Sequence, residues 1–261
     1  MAKLVMMLRI KDGIFYLKNW LERYKDIADE IVALDNGSTD GTLEMLQAHP
    51  KVVTVLQTTG YNEGRDKNLL YAAVRQRNPD WCLWLDVDEL FEPQVTRAHF
   101  DAMMASRIAD RYAFRRFHFA DNDHFAASSY WLNYSAGPDR VLWREKPSGY
   151  FQNSLIDSPN VKGIGGLKIY SSYRIKHLGY IDKAIVDRKA AIYRDVIGDN
   201  IILQTMYMAD EKKMKWIDDR GNTQVRLLNA RLNALLLAQL IKKGFAFIGR
   251  KLWSDRLQPA A

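Results

Sequence analysis

Between residues 3 and 86, short apolar runs take turns with segments of helical period. KLVMMLRI (3–10), EIVALD (30–35), KVVTVLQT (51–58) and WCLWLD (81–86) have strand length and are rich in aliphatic, β-branched and aromatic residues. IFYLKNWLERYKDIA (14–28), DGTLEMLQAH (40–49) and EGRDKNLLYAAVRQR (63–77) carry apolar residues at helical spacing. Thr39 or Asp40 is available to cap the second of these helices. Strands separated by helices run parallel, because each crossover carries the chain back to the same end of the sheet. The expected fold class is therefore α/β, with a mostly parallel central sheet and flanking helices. Ligands of such sheets bind at the carboxyl ends of the strands.

Beyond residue 106 the pattern changes. RYAFRRFHFA (111–120) and SSYWLNYS (128–135) alternate aromatic with polar residues, as half-buried antiparallel strands do. IDKAIVDRKAAIYRDVI (181–197) and TQVRLLNARLNALLLAQLIKK (223–243) return to helical period. The expected organisation is one α/β domain over residues 1–220 and a basic amphipathic helical tail over 221–261. The single cysteine, Cys82, excludes an intrachain disulfide. MAKLVMMLRIKDG is too short in its apolar run for a signal peptide, and ALLLAQLI falls far short of the ~20 residues that span a bilayer. These features lead to an expectation of a cytoplasmic protein.

Of a net charge of +7, nearly all lies in residues 223–261, where seven basic residues face one acid, Asp255. KKGFAFIGRKLW (242–253) interleaves those cations with Phe245, Phe247, Ile248 and Trp253. Such a helix suits peripheral contact with an anionic membrane surface, here the inner face of the cell membrane. It equally suits a helix packed on the domain with a basic outer face. A nucleic-acid binder spreads its basic residues over a face, so no nucleic acid is expected as a partner.

DWCLWLDVDELFEP (80–93) runs an apolar strand into Asp86, Asp88 and Glu89. Like charges that close repel one another and resist desolvation. If the strand continues through them, Asp86 and Asp88 point the same way, ~6–7 Å apart. Two hard oxygen ligands suit Mg²⁺ or Mn²⁺, and such a cation would offset the clustered charge. A solvated acidic turn is the plain alternative. A second strand-end carboxylate, Asp35, opens DNGSTDGT (35–42) at the same edge of the sheet. It can accept hydrogen bonds from a ribose or a base, and Gly37 and Gly41 permit a tight turn.

DNGSTDGT, followed about 45 residues later by WLDVDE and with NEGRDKNLLYAA (62–73) between them, resembles family 2 glycosyltransferases of the GT-A fold. The resemblance covers residues 3–92. It implies a Rossmann-like GT-A domain, a nucleotide-diphosphate-sugar donor, most naturally a UDP-sugar, and a divalent metal, Mn²⁺ or Mg²⁺. By position, Asp35 would contact uracil or ribose, Asp86 the ribose or metal, and Asp88 the metal that holds the diphosphate. Arg65 and Lys67 could neutralise phosphate. The family also implies inversion at the anomeric carbon, with one carboxylate base deprotonating the acceptor hydroxyl.

RVLWRE (140–145) and YFQNSLID (150–157) resemble a segment of bacterial lipopolysaccharide-type transferases in which an Arg strand precedes a Val-His-Glu-like motif. Here that motif reads Leu155-Ile156-Asp157, with Ile156 in place of the histidine, so Asp157 fills the acidic position as base. Asp139, Glu145, Asp121 and Asp123 compete for the role. RIKHLGYID (174–182) is similar to a His-x-Gly-Tyr element of these transferases. His177 could add a metal ligand, and protonated His177 or Arg174 could stabilise the leaving diphosphate.

The function these features imply is metal-dependent inverting transfer of a sugar to a hydroxyl of a glycan or lipid-linked acceptor, in lipopolysaccharide or cell-envelope polysaccharide synthesis. A haloacid-dehalogenase-type phosphatase needs Thr two residues after its second Asp, where this chain has Leu90. A sugar nucleotidyltransferase needs a Gly-rich basic loop after the first strand, which RIKDGIFY does not provide. The remaining rival is a non-enzymatic RNA- or membrane-surface-binding protein.

Overall fold

A computed structural model describes residues 1–137, 140–156, 160–198 and 212–256 of the chain. The first half follows the alternation in the sequence: β1 (Leu4–Ile10), α1 (Ile14–Tyr24), β2 (Glu30–Asp35), α2 (Thr42–Ala48), β3 (Val52–Gln57), α3 (Glu63–Arg75) and β4 (Trp81–Trp84). β5 (Glu89–Phe91), α4 (Arg97–Met104), β6 (Ala109–His118), β7 (His124–Ala126), α5 (Ser129–Ala136), β8 (Arg140–Arg144) and β9 (Leu167–His177) come next. α6 (Lys183–Ile197), β10 (Lys213–Lys215) and α7 (Thr223–Arg256) complete the described elements.

Eight strands form one sheet in the order β3-β2-β1-β4-β8-β6-β9-β5. β3, β2, β1 and β4 are parallel, and β6 pairs parallel with β9. The joins β4–β8, β8–β6 and β9–β5 are antiparallel. The period of two along β1 divides the core between the faces of the sheet. Leu4, Met6, Leu8 and Ile10 pack with Leu17, Trp20 and Leu21 of α1 and Phe100 of α4. Val5 and Met7 pack with Leu70, Tyr71 and Val74 of α3. In register, Ile10 lies beside Asp35 and Met7 beside Trp84, so β1, β2 and β4 deliver their carboxyl ends to one edge.

Three local expectations are corrected. SSYWLNYS is the helix α5, not a strand. Its buried residues Trp131, Leu132, Ser135 and Ala136 make a helical face between Ser128 and Gly137 at its ends. Its exposed Tyr130 and Tyr134 satisfy a period of two and a period near four alike, which is why the short stretch reads both ways. The N-cap of α2 is Gly41, with positive φ, rather than Thr39 or Asp40. Asp40 instead accepts from the backbone N–H groups of Thr42 (3.1 Å) and Ile14 (3.0 Å). Finally, β4 ends at Trp84, so Asp86 and Asp88 lie on the turn that leads to β5, not on a strand.

The tail helix begins against the domain. Val225, Leu228 and Leu232 of α7 are buried, the last two in a cluster with Phe117, Phe119, Phe125, Leu132 and Trp216. No helix among the described residues is long and apolar enough to cross a membrane.

Candidate active site

A cleft of about 910 Å³ opens at the carboxyl edge of the sheet. Its floor includes Arg9 and Ile10 at the end of β1, and Trp84, Asp86 and Asp88 after β4. Its walls include Tyr61, Glu63 and Lys67 at the start of α3, Arg116 and Arg140 from β6 and β8, His177 at the end of β9, and Lys189 on α6. The start of α3 is fixed by sequence. Asn62 caps it by accepting from the Arg65 N–H at 2.9 Å. Gly64 lets the segment before Ile156 press onto the helix: a Cβ there would stand 2.4 Å from the Gln152 carbonyl oxygen. That contact carries Glu63 N–H to Leu155 O at 2.9 Å and Gly64 N–H to Ser154 O at 2.9 Å, and brings Ile156 to the cleft wall.

The crowded carboxylates are neutralised by cations from three distant elements. Asp86, 38% exposed, accepts from Arg140 Nη2 at 2.6 Å. Glu89 has no exposure and accepts from Arg140 Nε at 2.7 Å and Arg116 Nη1 at 2.8 Å. Asp88 is buried, and its Oδ2 takes Lys189 Nζ at 2.6 Å. Burial pushes the Asp88 carboxyl up, but Lys189, Arg116 and Arg140 outweigh it and hold the group below its ordinary value. Asp88 Oδ1 has no hydrogen-bond partner among the described residues, and His177 Nε2 stands 3.6 Å from it.

His177 is neutral. Burial, then the cations Arg116, Lys189 and Arg140, push its pKa well below the usual imidazole value. Its Nδ1 meets Nδ1 of His118 at 2.9 Å, and His118 is held neutral by burial and by its neighbours His177 and Arg116. Around His118 stand the rings of Trp131 (4.7 Å), Tyr134 (4.9 Å) and Tyr180 (5.4 Å). Tyr134 and Tyr180 line the cleft, so one end of it is aromatic. Also in the lining, the guanidinium of Arg9 lies 4.5 Å from the centre of the Tyr61 ring and binds Asp66 at 2.9 Å. Lys67 is almost wholly buried, pairs with Glu63 and sits 4.3 Å from the Trp84 ring centre.

The residues singled out in the sequence separate into two groups. Asp86, Asp88, His177 and Lys67 line one cleft. Asp35 sits at its edge of the sheet but below the lining, buried, with Oδ2 accepting from Gly37 N–H (3.2 Å) and Ser38 N–H (3.0 Å). Arg65 turns away to Asp66 (2.7 Å) and the carbonyls of Thr59 (3.0 Å) and Gly60 (2.9 Å). Arg174 is not available to a diphosphate: it is buried between Glu92 (2.7 Å) and the Trp216 ring. Neutral His177 likewise offers no positive charge. Among the competing bases, Glu145 binds Arg75 (2.8 Å) and Tyr71, and Asp121 binds His124 (2.9 Å), all away from the cleft lining. Asp123 does not line the cleft either. Asp157 and Asp139 lie outside the described residues.

Sequence reasoning missed Lys189, His118, Arg116 and the part played by Glu89. The adjacent arginines in AFRRFHF were the one available signal, since two cations inside an aromatic run need buried partners. Lys189, in a helix of ordinary composition, gave none.

The donor set of the cleft fits a divalent cation. Asp88 Oδ1 is a buried carboxylate oxygen without a hydrogen bond among the described residues, and a neutral imidazole nitrogen faces it. Gly179 packs its backbone against the same two side chains: a Cβ there would come within 2.5 Å of Asp88 Oδ2 and 3.0 Å of His177 Cε1. No group of three His, Cys, Asp or Glu side chains gathers among the described residues. A cation here would thus have few protein ligands and take oxygens from its substrate, as Mg²⁺ and Mn²⁺ do beside phosphates.

The family model described as glycosyl transferase family 2 matches residues 16–175. No curated protein matches the sequence significantly. Among solved structures, TarS residues 1–349 of S. aureus aligns at 14% identity over 78% of this chain and 69% of its own, with a TM-score of 0.46. The mannosyltransferase PcManGT of Pyrobaculum calidifontis, in complex with GDP-Man and Mn²⁺, aligns at 12% identity over 97% and 83%, with a TM-score of 0.49. Glucosyl-3-phosphoglycerate synthase of Mycobacterium tuberculosis, in complex with Mn²⁺, UDP and phosphoglyceric acid, aligns at 11% identity over 82% and 87%, with a TM-score of 0.44. The family match, spanning more than half of the chain, is the finding that decides.

Proposed function

We propose that the chain, which belongs to glycosyl transferase family 2, is a metal-dependent, inverting glycosyltransferase with a UDP-sugar donor. Membership of an enzyme family sets aside the non-enzymatic reading. The observation that carries the proposal is Asp88 Oδ1, a buried carboxylate oxygen without a hydrogen bond among the described residues, facing neutral His177 Nε2 at the cleft floor. Asp88 and His177 would hold Mn²⁺ or Mg²⁺, with Asp86 beside them. Bound there, the cation would act as a Lewis acid toward the leaving diphosphate.

The chain's own residues account for the rest. Arg9 on the cleft floor and Lys67 in its wall would face the donor's negative charge. Tyr61 offers a ring for the nucleotide base. Asp35, beneath the lining with Oδ1 lacking a hydrogen bond among the described residues, is proposed to reach the ribose or base once Ser38 and its loop adjust. Arg65 would act there by fixing Asp66 and the 59–60 loop. The acceptor hydroxyl attacks the anomeric carbon from the face opposite the diphosphate. A new C–O bond forms, the old one leaves with its electron pair on the diphosphate, and the hydroxyl proton goes to a carboxylate. Asp157 is proposed as that base on the resemblance of Leu155-Ile156-Asp157 to the acidic motif of these transferases. The aromatic end of the cleft, with Tyr134 and Tyr180, suits the flat face of an acceptor sugar.

The acceptor is proposed to be a glycan or lipid-linked glycan of the cell envelope, of the lipopolysaccharide kind, met at the cytoplasmic face of the membrane. Support comes from α7. Leu227, Ala234 and Ile241 recur every seven residues and are exposed, with Leu237 beside them and exposed Arg226 and Arg231 flanking them. An exposed apolar face edged with cations matches an anionic lipid surface.

Product stereochemistry tests the reaction class. The new glycosidic bond, read by the anomeric proton coupling in NMR, should be β when the donor is α-linked. An α product would refute single displacement.

A further inference from the structure

Lys189 takes up one oxygen of Asp88, and this has consequences for how cation and donor enter. Its Nζ lies 2.6 Å from Asp88 Oδ2, on a side chain that is 40% exposed in the cleft. The residue stands about two turns into α6. Gly179 closes the nook: a Cβ there would lie 2.5 Å from Asp88 Oδ2 and 2.9 Å from Lys189 Nζ. An ammonium group held this close to a carboxylate repels any second cation that approaches the same group. The lysine stem is flexible and its charge is compact, so the ammonium can leave for another anion within reach.

We propose that Lys189 is the resident counter-ion of Asp88 in the ligand-free enzyme, and that it passes to the donor's diphosphate when metal and nucleotide enter, where it ligates the leaving group. This rests on the metal-dependent reading of the same site. Lys189 and the divalent cation then compete for Asp88 in the absence of nucleotide. In its presence they cooperate, because the diphosphate receives the displaced ammonium. Metal entry is thereby tied to donor entry, and Asp88 keeps a partner at every stage.

Two affinities of the full chain test the exchange. Mn²⁺ is titrated calorimetrically without nucleotide, and UDP is titrated at saturating Mn²⁺, for wild type and Lys189→Gln. The variant should bind Mn²⁺ at least tenfold more tightly and UDP at least tenfold more weakly than wild type. Added Mn²⁺ should also raise the melting temperature of the variant more than that of wild type. Unchanged or weaker Mn²⁺ binding in the variant, or unchanged UDP binding, overturns the role given to Lys189. If Lys189→Gln does not fold, Lys189→Met, which keeps the apolar stem, reads the same two affinities. If wild type binds UDP with Mn²⁺ and the variant matches it, the role of Lys189 alone falls. If wild type binds no nucleotide with any metal, the reading beneath it falls as well.

Discussion

Glu89 holds two guanidinium groups with no exposure of its own, and through them it sets the cleft floor. Its Oε2 also accepts from Asp86 N–H at 3.0 Å, which shapes the turn bearing Asp86 and Asp88. Replacing it by Gln leaves Arg116 and Arg140 with too little negative charge in a buried setting. Glu89→Gln should cost about 3–5 kcal/mol of stability, the cost of breaking a buried ion pair. Urea unfolding measures it, and a loss under 1 kcal/mol would show that the network is slack. Gly64→Ala tests a contact rather than a charge. The added methyl meets backbone at 2.4–2.5 Å, so the 152–154 segment has to move. We expect a stability loss of about 1–3 kcal/mol and weaker donor binding, since Ile156 and the start of α3 move with it. Asp86, Asp88 and His177 were legible in the sequence because each stands where a strand ends, and strand ends were legible. Lys189 and His118 were not, since each acquires its meaning from a partner about 100 or 59 positions away.

Elements formed where local pattern and tertiary demand agreed. β1 and β2 and helices α1 and α3 follow their sequence periods, because each buries a full stripe or both faces. SSYWLNYS failed because eight residues support two periods and only the packing of Leu132 and Trp131 selects one. The adjacent arginines of β6 are similar: Arg115 and Arg116 are both buried, although charge taken alone favours solvent. One element carries a pH signature. Glu30, at the start of β2, binds Arg77 at 2.8 Å and Lys3 at 2.9 Å, and these hydrogen bonds hold its carboxyl down at about 2. A carboxylate with a lowered folded pKa binds its proton more readily in the unfolded chain. The stability it adds is thus complete above pH ~4.5 and is lost as pH falls toward about 2. The difference between wild type and Glu30→Gln should be about 1–2 kcal/mol at pH 7, because Arg77 and Lys3 are partly solvated. It should close across that acid window in denaturant titrations. A gap that persists at pH 2 would assign the effect to packing.

At the scale of the whole molecule, the sheet brings the ends of β1, β2, β4, β6 and β9 to one side, and α6 and the start of α3 close around them. The parallel half was legible because alternation leaves few topologies. The antiparallel pairing of β8 and the full length and pairing of β9 were not, since their partners are set by sheet closure rather than by local pattern. α7 extends from this body with Leu227, Leu237 and Ile241 exposed. Full-length protein should co-sediment with vesicles containing anionic lipid and not with neutral ones, and Leu237→Glu with Ile241→Glu should abolish it. Concentration-dependent dimerisation lost in the same variant would instead assign that face to a second copy of the chain. The central claim is that Asp88 organises a metal-dependent donor site. Its most direct test is calorimetric titration of UDP and a panel of nucleotide sugars into wild type and Asp88→Ala, with Mn²⁺, with Mg²⁺ and with EDTA. Binding that needs the metal and vanishes in the variant is the expected result. Nucleotide binding of equal strength in EDTA, or retained by Asp88→Ala, would contradict it.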